Sequence, residues 1–508
     1  MSESFTATRG TEPYDCVVVG GGLSGLCSAA LLAKAGWRVL VCEKQSAPGG
    51  CCVSFWRKGY RFDLSVQSYS GCGPDGAVGS VLRRLGVEND IEFCRLDPAR
   101  EYLFPDRTME LPASLEAYRE SLARQFPREP KGLEDYFRLQ QELYDEIRRL
   151  PTEISLSAAT HFEGDFPRLT AHRHTTLAEV LDAHVTDPQL RTILAIRSSY
   201  FALPPSRASF IAVSNMEMNY FFEGVYVARG GAQALTDVLV CALKQNGGEL
   251  ALGTPIARIL HEGGRVVSVE TADRQTIATR RVIVTIAPTL LFQQMLDPPL
   301  SPHHLYLRRL ASLGTSFSYF IAFWGVTTDD LGGSPIGNKE TFEDYDLERE
   351  YVALDRGRMD PRAPCFVLVP SMVSREAVPG GRGHTVCASV KAPHAPVGGW
   401  SAEERARLAD QLFARARRCL PALDRSQIEV AESVTPLAIE RMTGNLNGSP
   451  YGWAHVPGQV GLDRPGSSTP IRNLHLVGHW TRPGGGVASV FVSARSLAMK
   501  LLESGAAC

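Results

Sequence analysis

A run of β-branched residues that ends in a glycine turn constrains this chain more than any other stretch. Cys16 Val17 Val18 Val19 reads as a buried parallel strand, and Gly20 Gly21 Gly22 Leu23 Ser24 Gly25 follows without a break. Leu26, Ala29, Ala30 and Ala33 then recur at helical spacing, Gly36 closes the helix, and Trp37 to Cys42 form a second apolar strand that ends in Glu43. The pattern is a βαβ unit. In such a unit Gly20 permits the tight turn and Gly22 lets the main chain approach a pyrophosphate. Gly25 lets helix and strand pack closely, and the helix start offers free N–H groups to an anion. Glu43 lies 18 residues beyond Gly25, the position of an acidic residue that accepts from ribose hydroxyls. A bare glycine pattern is weak in a chain with 46 glycines; strand, helix, second strand and acidic terminus together make it specific.

The residues after Glu43 and Lys44 narrow the nucleotide. Gly49 Gly50 lead into Cys51 Cys52 Val53 Ser54 Phe55, and Gly59 Tyr60 Arg61 Phe62 Asp63 follow. This stretch resembles the FAD-binding start of the flavoprotein superfamily that holds amine oxidases, phytoene desaturases, carotenoid isomerases and retinol saturases. Cys51 Cys52 looks like the retinol saturase version of a position often held by Arg or Lys, and Ser65 stands where the family often has Gly.

A second signal closes the chain. Asn473 to Val477 reads as a strand into Gly478 His479 Trp480 Thr481, then Arg482 Pro483 Gly484 Gly485 Gly486 Val487, then an apolar helix from Ala488 to Leu502. With Thr443 Gly444 Asn445 and Tyr451 Gly452 upstream, it resembles the C-terminal signature of the phytoene desaturase, carotenoid isomerase and retinol saturase branch. A glycine turn that opens a helix beside a flavin allows close main-chain approach and aims N–H donors at developing negative charge. The resemblance implies FAD held by Gly20, Gly22, Leu23, Ser24, Gly25, Glu43, Lys44, Gly49, Gly50, Cys51, Ile256, Ala287, Gly478, His479, Gly486 and Val487. His479 occupies a position often acidic in relatives. Where a proton must move, His479 and Arg482 are the candidate catalytic residues.

The implied fold is α/β: a discontinuous Rossmann-like FAD-binding domain (1–110, 225–290 and 430–508) with a mixed-sheet substrate domain (111–224 and 291–429). Within the latter, residues 110 to 222 read as a helical insertion, with Leu133, Tyr136, Phe137, Tyr144 and Ile147 on one stripe and Asp187 Pro188 opening a helix. Asp75 is placed as the cap of a helix carrying Val78, Val81, Leu82 and Leu85. Leu250–Leu252, Ile256–Leu260, Val266–Val269 and Val282–Ile286 read as a β-meander after a helix that Gly230 Gly231 introduce, and Phe317–Trp324, Cys365–Val369 and Thr385–Lys391 as strands.

Composition excludes several classes. With 53 basic against 55 acidic residues and a net charge of −2, nothing points to nucleic acid. Met1 to Pro13 lacks the order of a signal peptide, and no run reaches the roughly 18 consecutive apolar residues of a spanning helix. The expectation is a cytoplasmic protein with peripheral membrane contact; the oligomeric state is left open. The 12 cysteines are scattered through apolar runs as core residues, and Cys51 Cys52 are read as packing in preference to a redox pair. His161, His172 and His174 lack further ligands at metal spacing and are read as surface residues, with no metal.

The leading functional reading is hydride transfer between flavin and a hydrophobic conjugated substrate, carotenoid-like or polyketide-derived, by desaturation, saturation, isomerisation or redox-triggered cyclisation. No second dinucleotide motif appears, so an external donor such as NADPH is one open source of electrons. Tyr200 Phe201, Tyr220 Phe221 Phe222 and Phe317 to Trp324 are expected to wall an apolar tunnel. Two further readings are a flavin-free prenyl-lipid carrier resembling dissociation inhibitors, against which the intact Glu43 and glycine turns stand, and an amine oxidase, whose acidic C-terminal pattern is missing here.

Overall fold

A computed structural model of the chain describes residues 12–150 and 162–505. His161 and most of the N-terminal stretch lie outside the described residues. The βαβ unit forms as read: strand Cys16–Val19, helix Leu23–Lys34 and strand Val39–Cys42, with Cys16 beside Val39 and Val19 beside Cys42 in parallel. Gly36, at φ +88°, supplies the left-handed residue after the helix. The helix is buried from Leu23 to Ala33 because it is covered on both flanks, by Ala232–Gln245 and by the closing helix Val487–Gly505.

The central sheet has five strands, all parallel, in the order Glu249–Ala251, Val39–Cys42, Cys16–Val19, Val282–Val284, Leu474–Leu476. One expectation changes here: residues 249–251 leave the meander and pair in parallel with Val39–Cys42, Glu249 beside Leu40. Three residues carry too little periodicity to name their partner. The meander itself is antiparallel, Ile256–Glu262, Arg265–Thr271 and Thr276–Ala278, turning at Gly263 and Gly264 with φ of +54° and +74° as a tight two-residue hairpin requires.

The second large sheet has seven strands in the order Ile428–Val434, Ser318–Val326, His384–Ala392, Cys365–Leu368, Asn338–Thr341, Arg100–Leu103, Thr108–Leu111. Residues 100–111, grouped by sequence with the nucleotide-binding segment, form its far edge, because Arg100–Leu103 pairs in parallel with Asn338–Thr341. Residues 428–434 likewise pair with Ser318–Val326. Such long-range pairing leaves no local trace. Alternation along the strands gives the sheet two faces. Phe320, Ala322, Trp324, Val367 and Val390 pack on helix Ala402–Cys419 through Leu408, Leu412 and Phe413. On the opposite face Ile321, Phe323, Leu368 and Cys387 pack on Tyr60 and Phe62 of the hairpin Ser54–Asp63, and Phe366 meets Tyr200. The helical region is built from Leu115–Gln125, Pro130–Arg149, Leu177–His184, Pro188–Ala195 and Phe210–Glu223.

The Asp187 cap forms, accepting from the N–H groups of Gln189 and Leu190. Asp75 does not cap its helix. Gly76 is the N-cap, without a side-chain bond, and the Asp75 carboxylate stands 3.6 Å from Arg83 instead. No helix of the described residues is long and apolar enough to cross a membrane.

Candidate functional site

The two glycine turns meet at one cavity of about 1470 Å³. On one side Gly20 sits at φ +104°, and a Cβ there would stand 2.1 Å from Thr285 Oγ1. A Cβ on Gly25 would stand 2.2 Å from the Gly20 carbonyl oxygen, so this glycine serves helix–strand packing, as its place in the motif requires. Gly22 is the N-cap of helix Leu23–Lys34 with no side chain bonded to its first turn, which leaves those N–H groups for a ligand. Gly22 and Gly49 form a parallel bridge, and a Cβ on Gly50 would stand 3.4 Å from Gly22 Cα. Bare main chain thus faces main chain beside the cavity.

Glu43 ends the second strand, buried. Its Oε2 accepts from Gly21 N at 2.7 Å and its Oε1 from Gln45 N at 2.9 Å. A carboxylate has about four lone-pair sites, so capacity for ribose hydroxyls remains, and Glu43 lines the cavity. Lys44 Nζ donates to the Arg441 carbonyl at 2.9 Å. The family departure at Ser65 is accommodated by a bond from its Oγ to the Cys51 carbonyl, 3.1 Å. Cys51 Sγ accepts from Asn445 Nδ2 at 3.6 Å, and burial pushes its thiol up to about 11. Cys52 is buried, its Sγ donating to the Ala232 carbonyl, and its thiol is also pushed up by burial. Two protonated thiols fit the packing reading.

The C-terminal turn is held from beneath by Arg464, which is fully buried. Its five N–H bonds reach five main-chain carbonyls: Thr481 at 3.1 Å, Trp453 at 3.1 Å, Gln459 at 3.3 Å, Tyr451 at 3.2 Å and His479 at 2.6 Å. That uses every donor a guanidinium has. Burial lowers its pKa to about 9, which leaves it charged at neutral pH. His455 stacks on Phe201, centroids 4.1 Å apart, and its Nε2 accepts from Gly485 N at 3.3 Å. Burial and the nearby Arg464 hold His455 well below its usual range, so it is the neutral acceptor this bond needs.

Of the sequence-derived residues, the cavity wall includes Gly20, Gly22, Leu23, Ser24, Glu43, Lys44, Gly49, Gly50, Cys51, Ile256, His479, Arg482, Gly486 and Val487. Gly25, Ala287 and Gly478 lie behind it; a Cβ on Gly478 would stand 2.6 Å from Ser24 Oγ, which makes its role one of close packing. His479 Nε2 bonds Asn445 Oδ1 at 3.0 Å, and burial with Arg464 lowers its pKa to about 3. At neutral pH it is an uncharged imidazole and has no extra proton to give. Arg482 is exposed at the cavity rim.

The apolar wall is more selective than the sequence runs imply. From residues 317–324 only Tyr319 and Ile321 face the cavity, because alternation turns Phe320, Ala322 and Trp324 to the other side of the sheet. Tyr200, Phe201 and Tyr220 line it, whereas Phe221 is in the core and Phe222 is 52% exposed. Sequence reasoning named Asn445 and Tyr451 only as parts of the C-terminal signature, and missed Phe366 and Arg100 on the wall and Arg464 behind it. Arg100 had a signal: it alternates with the apolar Tyr102 on a short strand, so it occupies an inward position. His172 is half-buried against Phe210 where a surface position was expected, and no group of metal-holding side chains occurs among the described residues.

A parallel sheet with a glycine turn at its helix start, a facing double glycine and a separate substrate sheet defines a Rossmann-like dinucleotide-binding flavoprotein fold. The chain belongs to the flavin-containing amine oxidoreductase family, whose pattern matches residues 23–502. It is 27% identical over 276 residues to an all-trans-retinol 13,14-reductase of Danio rerio, a match that takes in 51% of this chain and 44% of that protein. The chain thus aligns with less than half the length of that relative. It is 28% identical over 501 residues to a phytoene dehydrogenase of Streptomyces griseus, with 96% and 94% covered. Among solved structures, an oxidoreductase of Methanosarcina mazei superposes with a TM-score of 0.64 at 17% identity, covering 95% of this chain and 99% of that one, which shows the shared fold. The resemblance read from residues 14–63 and the C-terminal turn is borne out.

Proposed function

We propose that this chain is an FAD-dependent oxidoreductase acting on a hydrophobic conjugated polyene, carotenoid-like or polyketide-derived. One observation carries the reading: a single cavity runs from the glycine cradle to a wall of Tyr200, Phe201, Tyr220, Tyr319, Phe366 and Tyr451. Its size exceeds the roughly 300–1,000 Å³ of an ordinary small-molecule site, as a cavity that takes both a dinucleotide and a long substrate must. The phytoene and retinol relatives support the choice of a polyene.

FAD bound here would supply a two-electron hydride acceptor and donor. The chain's own part is binding and placement. Gly22, Gly49 and Gly50 admit the pyrophosphate against main chain, and Glu43 accepts from the ribose. Flat aromatic side chains hold a conjugated chain by its faces and keep water out. Asn445 fixes the His479 ring through Nε2, and the neutral imidazole leaves orientation as the main contribution at the turn. Peripheral membrane contact belongs to the proposal, since Leu305, 76% exposed, adjoins the cavity-lining Tyr306, and the exposed Leu462 lines the cavity itself.

The purified protein should show a flavin visible spectrum at one FAD per chain. Under anaerobic conditions, polyenes, small polar amines and NADPH are then offered separately and flavin reduction and products are followed. Turnover of polyenes, with or without NADPH as the electron source, supports the reading, and the product distinguishes desaturation, saturation, isomerisation and cyclisation. Turnover confined to amines refutes it.

A further inference from the structure

The sheet face that looks into the cavity carries charge where a site for a plain hydrocarbon would carry none. Arg100 reaches that face from the strand Arg100–Leu103, and its guanidinium lies 5.2 Å from the centroid of Tyr200 and 5.5 Å from that of Phe366. Arg197, from the turn Ile196–Phe201, lies 5.1 Å from the Tyr200 ring and 4.6 Å from Tyr220. Both arginines are buried, 7% and 3% exposed. Lys391, nearby on the same sheet, is answered by Glu350 at 2.8 Å.

The two arginines are not answered in this way. Among the described residues neither makes an ion pair or a side-chain hydrogen bond, and Arg100 Nη1 and Arg197 Nη2 are buried without a partner. The facing carboxylates do not fill the gap. Glu217 bonds Gln140 Nε2 at 2.8 Å, and both oxygens of Glu340 are buried without a hydrogen bond. Burial pushes Glu340 up to about 7, so it is only partly ionised near neutrality. Tyr200 Oη is a further buried group with no partner. Glu340 and Glu217 offset the two charges only through space, so a buried guanidinium with no hydrogen-bonded partner stays costly, and Arg100, held against two rings in the cavity wall, is pre-organised for an anion that arrives from outside.

We propose that Arg100, which lines the cavity beside Tyr200, forms a subsite for an anionic end group, a carboxylate or a similar planar pair of acidic oxygens, on an otherwise apolar conjugated substrate, with Arg197 adding positive charge from behind the wall. A guanidinium fork matches such a pair in two parallel hydrogen bonds, which a hydroxyl or a hydrocarbon terminus cannot reproduce. The inference rests on the polyene reading and sharpens it: the substrate has a polar acid end, bound by the sheet, and a conjugated body that reaches toward the glycine cradle.

The test titrates the FAD-loaded protein with all-trans-retinoate, methyl retinoate and all-trans-retinol, which share one conjugated skeleton, and reads the perturbed flavin spectrum. Retinoate is expected to bind at least about tenfold more tightly than the other two. Arg100→Gln should lower retinoate affinity by about tenfold or more and leave methyl retinoate nearly unchanged, with Arg100→Lys between. Equal affinity for all three in the wild type overturns the anionic subsite and leaves the polyene reading intact. No perturbation by any of the three overturns both. If Arg100→Gln fails to hold flavin, the wild-type comparison still decides.

Discussion

Replacing Arg464 with Met should be among the most damaging single changes away from the cavity wall. The variant keeps most of the apolar stem, yet five carbonyls lose donors at once, the Thr481 and Trp453 bonds buried and the other three partly so. A buried polar group left unbonded costs about 1–3 kcal/mol, and a net hydrogen bond contributes about 1 kcal/mol. Even if water reaches some of these carbonyls, the expected loss is about 5 kcal/mol, at the extreme of single substitutions and a large part of a typical domain's stability. Two of the carbonyls belong to His479 and Thr481, so the flavin turn should loosen with the fold. Arg464→Lys keeps the charge and about three donors, and should recover part of the loss. Urea denaturation followed by far-ultraviolet circular dichroism and by release of flavin fluorescence measures both effects. A chain with several domains need not unfold in two states, so midpoints are compared in place of extrapolated energies. A Met variant with an unchanged midpoint and full flavin content would refute the claim that this guanidinium holds the turn.

Glu43→Ala removes the acceptors for Gly21 N and Gln45 N and, on the proposed reading, for the ribose, and should raise the FAD dissociation constant by about tenfold or more, measured by titrating apoprotein with FAD. Gly486→Ala meets only Ser489 Oγ at an ordinary 3.9 Å, but φ of +107° strains any side chain by about 1–3 kcal/mol, so a lower melting temperature with weaker flavin retention is expected; thermal unfolding with and without added FAD checks it. His455 is held neutral when folded and titrates near 6.5 when unfolded, so below that pH the unfolded chain takes up the proton and stability falls, by up to about 1.4 kcal/mol per pH unit. His455→Gln keeps an acceptor for Gly485 N and should flatten that part of the acid loss; identical urea midpoints against pH for the two proteins would count against it. Cys52, buried, and Cys51, half-buried on the cavity wall, both with thiols pushed up by burial, should react more slowly with a thiol reagent in the native state than the exposed Cys241, as mass spectrometry of the labelled peptides would show.

The parts of the fold that local chemistry dictates were legible. A run such as Cys16–Val19 followed by Gly20 to Gly25 has few alternatives, and Gly36, Asp187 and the Gly263 Gly264 hairpin each announce a backbone geometry that few other residues tolerate. What escaped depends on partners far along the chain. Asn338–Thr341 is polar throughout, Asn Lys Glu Thr, with no apolar alternation to mark it, yet it is a fully buried interior strand; Lys339 is neutralised by Glu101 at 2.6 Å, a residue 238 positions away. Arg464 sits in a Gly- and Pro-rich stretch with no periodicity, so its five bonds could not be inferred. Alternation along Ser318–Val326 was readable, but not which face meets the cavity, because that depends on where helix Ala402–Cys419 docks.

The parallel sheet collects its strands from residues 16–42, 249–251, 282–284 and 474–476, and this fixes the order of events during translation. When a ribosome has released the first half of the chain, Glu43 and the first glycine turn exist but the wall opposite them does not. Val282–Val284 pairs on one side with Val17–Val19 and waits on the other for Leu474–Leu476, so until residues 474–476 emerge an apolar strand edge stays open to any partner. Closure of this sheet, and of the second glycine turn that follows residues 474–476, is therefore a late event. A message cut short upstream of residue 474 yields a chain that carries the first half of the cradle together with an aggregation-prone edge.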